Sequence, residues 1–108
     1  MKLERYGVYY VELDPARGSE MAKTRPAVIV SLDEMNNTVE TVVVCPLTQS
    51  LHPRWPFRVQ VSCAGKPGEI AVDHIRSVSK SRVRKFVDRL RDTATVELRR
   101  RITEMYGQ

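Results

Sequence analysis

The sequence predicts a β-rich α+β domain: a small, strongly bent antiparallel sheet or barrel followed by a C-terminal α-helix. Five short stretches rich in β-branched and aromatic residues, at 7–13, 26–32, 39–47, 57–63 and 69–74, are separated by clusters of Gly, Pro, Asn and Asp. That is the pattern of short strands joined by turns. Near the end, Ala94, Leu98, Ile102 and Met105/Tyr106 recur at helical spacing. The 108 residues are enough for one domain, 1–108, and one modest core.

The first stretch, Gly7-Val8-Tyr9-Tyr10-Val11-Glu12-Leu13, is stopped by Asp14-Pro15. Residues 14–24 then make a loop longer than a hairpin needs, carrying Arg17-Gly18-Ser19-Glu20, and long loops tend to carry function. Pro26 has a fixed φ and no N–H, which suits the first residue of a strand and pushes Arg25 towards an extended backbone. Ala27 to Val30 read as a strand buried on both faces, so Arg25 stands at the mouth of a core strand. Asp33 to Asn37 is a turn or a single helical turn. The strand at 39–47 has an apolar centre, and Pro46 near its end argues for an edge or a bulge. Thr48 to Pro56 forms a second loop, with hydroxyls, Gln49, His52, Arg54 and the only Trp, Trp55. Phe57 to Cys63 alternates, apolar at odd positions, as a half-buried strand does. Gly65-Lys66-Pro67-Gly68 reads as a turn, and Glu69 to His74 as the returning strand, with Asp73 near its end. Val83, Phe86, Val87 and Leu90 fall at i, i+3, i+4 and i+7, which by periodicity argues a helix. Asp92-Thr93 offer caps for the last helix and Gly107 closes it.

Composition narrows the class. Hydrophobic content of 42% and charged content of 29% are those of a folded soluble protein. No apolar run approaches the roughly 18–20 residues of a membrane span, and the N-terminus has no signal-peptide pattern. Cys45 and Cys63 lack CxxC spacing, so reduced thiols are expected rather than a disulfide. With only His52 and His74 as histidines, no metal site is legible from spacing. The net charge of +5 allows a polyanionic partner.

Four residues converge on one kind of chemistry. Arg25 opens a strand, Thr48 closes another, Glu20 lies in the loop before Arg25, and Asp73 ends a further strand. A guanidinium matches two phosphate oxygens with its fork, and a hydroxyl and carboxylates beside it make a phosphate site on a β-rich domain. No P-loop, nucleophile elbow or metal carboxylate cluster accompanies them.

Tyr9 to Glu20, followed by Thr24-Arg25-Pro26-Ala27-Val28-Ile29-Val30-Ser31, resembles the opening signature of the MazF/PemK/Kid toxin family. Val43 to Thr48 and Ala71 to Val78 resemble two later motifs of that family, in the same order and spacing. The resemblance implies an SH3-like small β-barrel of the CcdB/MazF type with a C-terminal α-helix. It implies a homodimeric, cytoplasmic bacterial toxin that cleaves single-stranded RNA without a metal or other cofactor. It implies attack by the RNA's own 2′-OH, leaving 2′,3′-cyclic phosphate and 5′-OH ends, and neutralisation by a small antitoxin with an acidic C-terminal tail.

Carried over residue by residue, the resemblance makes Arg25 and Thr48 catalytic. Arg25 would stabilise the phosphorane charge, and Thr48 would hydrogen-bond the phosphate or the 2′-OH. Ser19, Glu20, Gln49, Arg54, Trp55 and Asp73 are the further RNA-binding or base candidates, with either Glu20 or Asp73 as proton acceptor. Arg17, Lys23, Arg25, Arg54 and Trp55 would give the loops a basic surface with one aromatic anchor. Trp55 reads equally as a core residue pinned between Pro53 and Pro56. Two departures stand out: His74 follows Asp73 where many relatives have Gln, and Met21-Ala22-Lys23 lacks the glycines common in their first loop. The resemblance also places a strand within 84–90 where periodicity argues a helix, and the strand is the expectation carried forward. The alternatives are a gyrase-poisoning CcdB-like toxin, which relies on a C-terminal Trp that Met105-Tyr106-Gly107-Gln108 lacks, and a catalytically inactive SH3-like interaction module.

Overall fold

The structure is a computed structural model, and it describes residues 2–13 and 23–107. Strands β1 (Gly7–Glu12), β2 (Thr24–Ile29), β3 (Thr41–Thr48), β4 (Arg58–Cys63), β5 (Lys66–Ala71), β6 (Arg76–Ser79) and β7 (Val83–Arg89) make one antiparallel sheet. Helix α1 (Asp33–Asn36) links β2 to β3, and α2 (Asp92–Tyr106) follows β7. The strand order is β4-β5-β3-β2-β1-β7, with β6 on β3. The two ends of that order approach each other: the Ala64 N–H after β4 donates to Asp88 Oδ2 in β7 at 2.8 Å. The sheet is therefore curled almost into a barrel, as expected.

Because the central strands are apolar on both faces, they build two cores. Tyr9, Val11, Ala27, Ile29, Val42 and Val44 form one with Leu3 and Val83. Val8, Val28, Val30, Cys45 and Leu47 form the other, which α2 covers with Leu98. Ala94, Ile102 and Met105 pack beside Leu98, so the helical stripe in the sequence is the face of α2 turned to the sheet.

Several boundaries differ from expectation, each for a local reason. Pro26 is the third residue of β2, opposite Tyr10. It is accommodated because β3 pairs β2 only from Ala27 onward, leaving that edge open at the proline. Pro46 is neither at an edge nor in a terminal bulge but inside the central strand. One side of β3 pairs β6 through Val44 and β5 from Leu47, and Pro46, with no N–H to give, falls in the gap between the two. The turn read at 65–68 is only Ala64-Gly65, since Cys63 pairs Lys66 directly. Both turn residues have positive φ, 50° and 79°, the requirement of a tight two-residue hairpin. The strand therefore starts at Lys66 and ends at Ala71, and Asp73 lies not at a strand end but in a 3₁₀ turn, Val72–His74.

The segment 83–89 is a strand, as the family resemblance implied, beginning one residue before the 84–90 expected. Its helix-like periodicity comes from bulges. Gly7 pairs Arg89 and Val8 pairs Asp88, but Tyr9 pairs Phe86 and Val11 pairs Val83. The extra residues in β7 throw its apolar side chains off strict alternation. At α2 the N-cap position is Arg91 and no side chain caps it, so Asp92 and Thr93 do not serve as the cap. β6 has no counterpart in the sequence reading; at four residues with only Val78 buried, it offers too little pattern to detect.

Candidate active site

A cleft of about 380 Å³ opens where β1, β2 and β3 meet the β4–β5 turn and β7. Its polar lining is Arg25, Thr48, Gln49 and Lys66, with Tyr10. Pro26, Leu47, Cys63, Pro67 and Val87 form apolar walls. Arg25 and Thr48 meet because of register. Ala27 lies opposite Pro46, and the same antiparallel count continued two residues sets Arg25 against Thr48. There β3 leaves β2 to pair β5, and the divergence opens the space.

Thr48 is nearly buried and its Oγ1 accepts the Ser50 N–H at 3.1 Å. That bond holds the rotamer and leaves the hydroxyl proton for a ligand. A guanidinium, an ammonium, a hydroxyl and an amide around one cavity can bind a phosphate diester and stabilise extra charge on it. Gln49 joins this group as the sequence suggested.

Asp73 does not line the cleft. Its carboxylate receives Arg58 Nε at 2.7 Å and Nη2 at 3.3 Å, and His74 Nε2 stands 3.6 Å from it. Trp55 is outside the cleft as well. Its ring stacks on His52, with centroids 3.7 Å apart and planes 4° from parallel, and carries the Arg58 guanidinium at 4.8 Å. Trp55 is still 39% exposed, so it is a pinned surface ring rather than a core residue, with its π faces engaged inside the protein. Arg54 is exposed on the same loop, apart from the cleft. Ser19, Glu20 and Arg17 lie outside the described residues.

Sequence reading missed Tyr10, Lys66 and a buried ionic cluster. Tyr10 is the one exposed residue in the stretch Gly7–Val11, and its side chain stands on the cleft. Lys66 was hidden by the misplaced turn. The cluster is centred on Glu69, which is fully buried in β5. Its Oε2 accepts Arg58 Nη1 at 2.8 Å, and its Oε1 accepts the His52 N–H at 2.6 Å and Gln60 Nε2 at 2.5 Å. Burial works against the Glu69 charge, but hydrogen bonds from Gln60, His52 and Arg58 outweigh it and hold the carboxyl below its ordinary range. Arg58 shifts the other way, upward: desolvation opposes its charge, and Asp73 and Glu69 overcome it. Both cysteines are free. Burial, helped by the Asp73 charge, pushes the Cys45 thiol up to about 12. Among the described residues no group of three or more His, Cys, Asp or Glu side chains is arranged to hold a metal ion, and no helix is long and apolar enough to cross a membrane.

Fold and cleft together describe a small curled-sheet protein with a cleft lined by Arg25 and Thr48. The pattern of the PemK-like, MazF-like toxins of type II toxin–antitoxin systems matches residues 4–106, and the chain belongs to that family. Endoribonuclease MazF9 of Mycobacterium tuberculosis is 32% identical over 97 residues, 82% of either chain. Endoribonuclease toxin MazF of Escherichia coli K12 is 33% identical over 70 residues, 65% of this chain and 62% of that one. The crystal structure of MazF from Deinococcus radiodurans matches with a TM-score of 0.87 at 24% identity, covering 100% of this chain and 99% of that one. A mycobacterial endoribonuclease in complex with its cognate antitoxin matches with a TM-score of 0.80 at 20% identity, covering 96% and 94%. These last two likenesses establish the fold.

Proposed function

We propose that this chain is the endoribonuclease toxin of a type II toxin–antitoxin pair, one domain that cuts single-stranded RNA in the bacterial cytoplasm. The observation that carries the reading is the convergence of Arg25 and Thr48 on one cleft from separate strands. The M. tuberculosis and E. coli relatives are both named endoribonucleases, which favours a nuclease over a gyrase poison or an inactive module.

In the proposed reaction the RNA's 2′-oxygen attacks the adjacent phosphorus and the bond to the 5′-oxygen breaks. A 2′,3′-cyclic phosphate and a 5′-OH result. The 2′-OH proton passes to a carboxylate, and the departing 5′-oxygen takes a proton from solvent water. Arg25 stabilises the charge that builds on the equatorial oxygens as a constant cation. Thr48 donates its hydroxyl to the same phosphate. Glu20 and Asp73 are the two acids weighed as proton acceptor, and of these Asp73 is engaged by Arg58. Lys66 and Gln49 hold the flanking backbone, and Tyr10 offers a face to a base. Partners are a second copy of the chain and a small antitoxin whose acidic tail competes with RNA for the basic cleft.

Removing one preorganised charge-stabilising group lowers a rate by about 10²–10³. Arg25→Ala and Thr48→Ala should each do so in a purified, folded protein. Cleavage by the parent should survive EDTA and leave cyclic phosphate ends. Activity lost on chelation and restored by Mg²⁺ would sink the metal-free scheme, and near-parental cutting by either variant would remove that residue from it.

A further inference from the structure

The loop that follows Thr48 has no regular structure up to the start of β4 at Arg58, yet it is tied at several points to one carboxylate. Glu69 is the ladder neighbour of Thr48 on one side and of Gln60 on the other. Its side chain receives the backbone N–H of His52, in mid-loop, and Arg58 Nη1, at the loop's exit. Arg58 in turn supports the Trp55 ring, on which His52 stacks. Trp55 N–H donates to the His52 carbonyl at 3.0 Å, and Arg58 N–H to the Trp55 carbonyl at 3.2 Å. The loop is thus wound round a guanidinium that Glu69 and Asp73 hold from two sides.

This arrangement bears on the cleft through a short stretch of backbone. Ser50 gives its N–H to Thr48 Oγ1, and only Leu51 separates Ser50 from the tethered His52. Where His52 is fixed, Ser50 is fixed, and so is the Thr48 hydroxyl. A buried ion pair is a poor way to stabilise a small barrel, since apolar side chains of similar volume often do as well or better. What it provides here that apolar packing does not is an acceptor for a loop amide.

We propose that Glu69 is a positioning residue for the cleft: through the His52 amide and Arg58 it sets the loop after β3 and, with it, the orientation of Thr48 and Gln49. This rests on the reading of the cleft as an RNA-cleaving site. It separates Glu69 from Arg25 and Thr48, which touch the substrate, because Glu69 acts only through the loop.

The test uses Glu69→Gln and the double variant Arg58→Met/Glu69→Met, with the parent and Arg25→Ala alongside. The double variant removes both partners of the pair, so it leaves neither of them buried and unmatched and keeps the barrel folded. Melting temperature, single-turnover cleavage of a short RNA, KM, and ¹H–¹⁵N amide spectra are measured on each. A misplacement on the scale of an ångström lowers a rate by about 10²-fold. Both variants should therefore show a kcat roughly 10- to 100-fold down, with KM within about twofold, while folded. The Ser50 and His52 amides should shift while those of β1 and β2 stay in place. Parental kcat in a stably folded double variant overturns the positioning role, as does a loss that only follows the unfolded fraction. A parent that cleaves no RNA overturns instead the reading of the cleft, and Arg25→Ala cutting as fast as the parent overturns Arg25's place in it.

Discussion

The β4–β5 turn offers a stability experiment in which two adjacent residues should respond with opposite signs. Ala64 and Gly65 both have positive φ. For an L-residue that conformation costs roughly 1–2 kcal/mol, and glycine escapes it. Ala64→Gly relieves that strain but frees the unfolded chain, returning roughly 0.4–1 kcal/mol. Ala64 is exposed, so its methyl adds little burial, and its N–H bond to Asp88 is kept. The net gain is about 0.5–1 kcal/mol, which in a chain of this size raises Tm by roughly 2–6 °C. Gly65→Ala should do the reverse. A Cβ there meets no atom within 4 Å, so any loss is backbone strain and not collision. Scanning calorimetry on both variants decides it. Two shifts of the same sign, or an Ala64→Gly protein no more stable than the parent, would refute the strain assignment.

Asp88 should impart an acid sensitivity. The N–H groups of Ala64 and Arg89 hold its carboxyl below the ordinary value, so its stabilisation is full above the unfolded pKa of about 4 and fades as pH falls through the lower folded pKa. The Tm gap between the parent and Asp88→Asn should therefore close in strong acid, and a gap that does not change with pH would contradict it. With its thiol pushed up to about 12, Cys45 should resist iodoacetamide at pH 8 until denaturant is added, whereas half-buried Cys63 labels slowly; intact mass spectrometry distinguishes one adduct from two. Gly7→Ala would set a Cβ 2.8 Å from the Tyr9 ring and 3.1 Å from the Glu4 carbonyl, and overpacking of that kind costs about 1–3 kcal/mol by chemical denaturation. Trp55→Ala strips the Arg58 and His52 contacts, so it should lower Tm before it alters RNA affinity; an unchanged Tm with weakened RNA binding would return Trp55 to the ligand surface.

How much was legible in the sequence depended on whether the determining interaction was local. β1, rich in aromatic and β-branched residues, and β4, which alternates, stand close to where those patterns put them. α2 shows its stripe because one face packs on the sheet. β7 mimicked a helix because its bulges are set by pairing with β1, some 75 residues away in sequence. In that segment the resemblance to a family was the better guide, since a family pattern carries long-range pairing that periodicity does not. Arg25 and Thr48 could be singled out from their places at strand ends, but their meeting depends on the β2–β3 register. Arg58 was unreadable: at an outward position of an alternating strand it looks solvated, and only Glu69 and Asp73 brought by β5 and the turn after it explain its burial.

The pairing of β1 with β7 has a consequence for the cell that makes this protein. Tyr10 on β1 and Val87 on β7 stand on the same cleft. A chain without β7 carries Arg25 and Thr48 but lacks the Val87 side of the cleft. The cleft is thus complete only once the two ends of the sheet have met. A chain stopped before Val83 should be harmless for that reason, and growth after induction of such a fragment would show it.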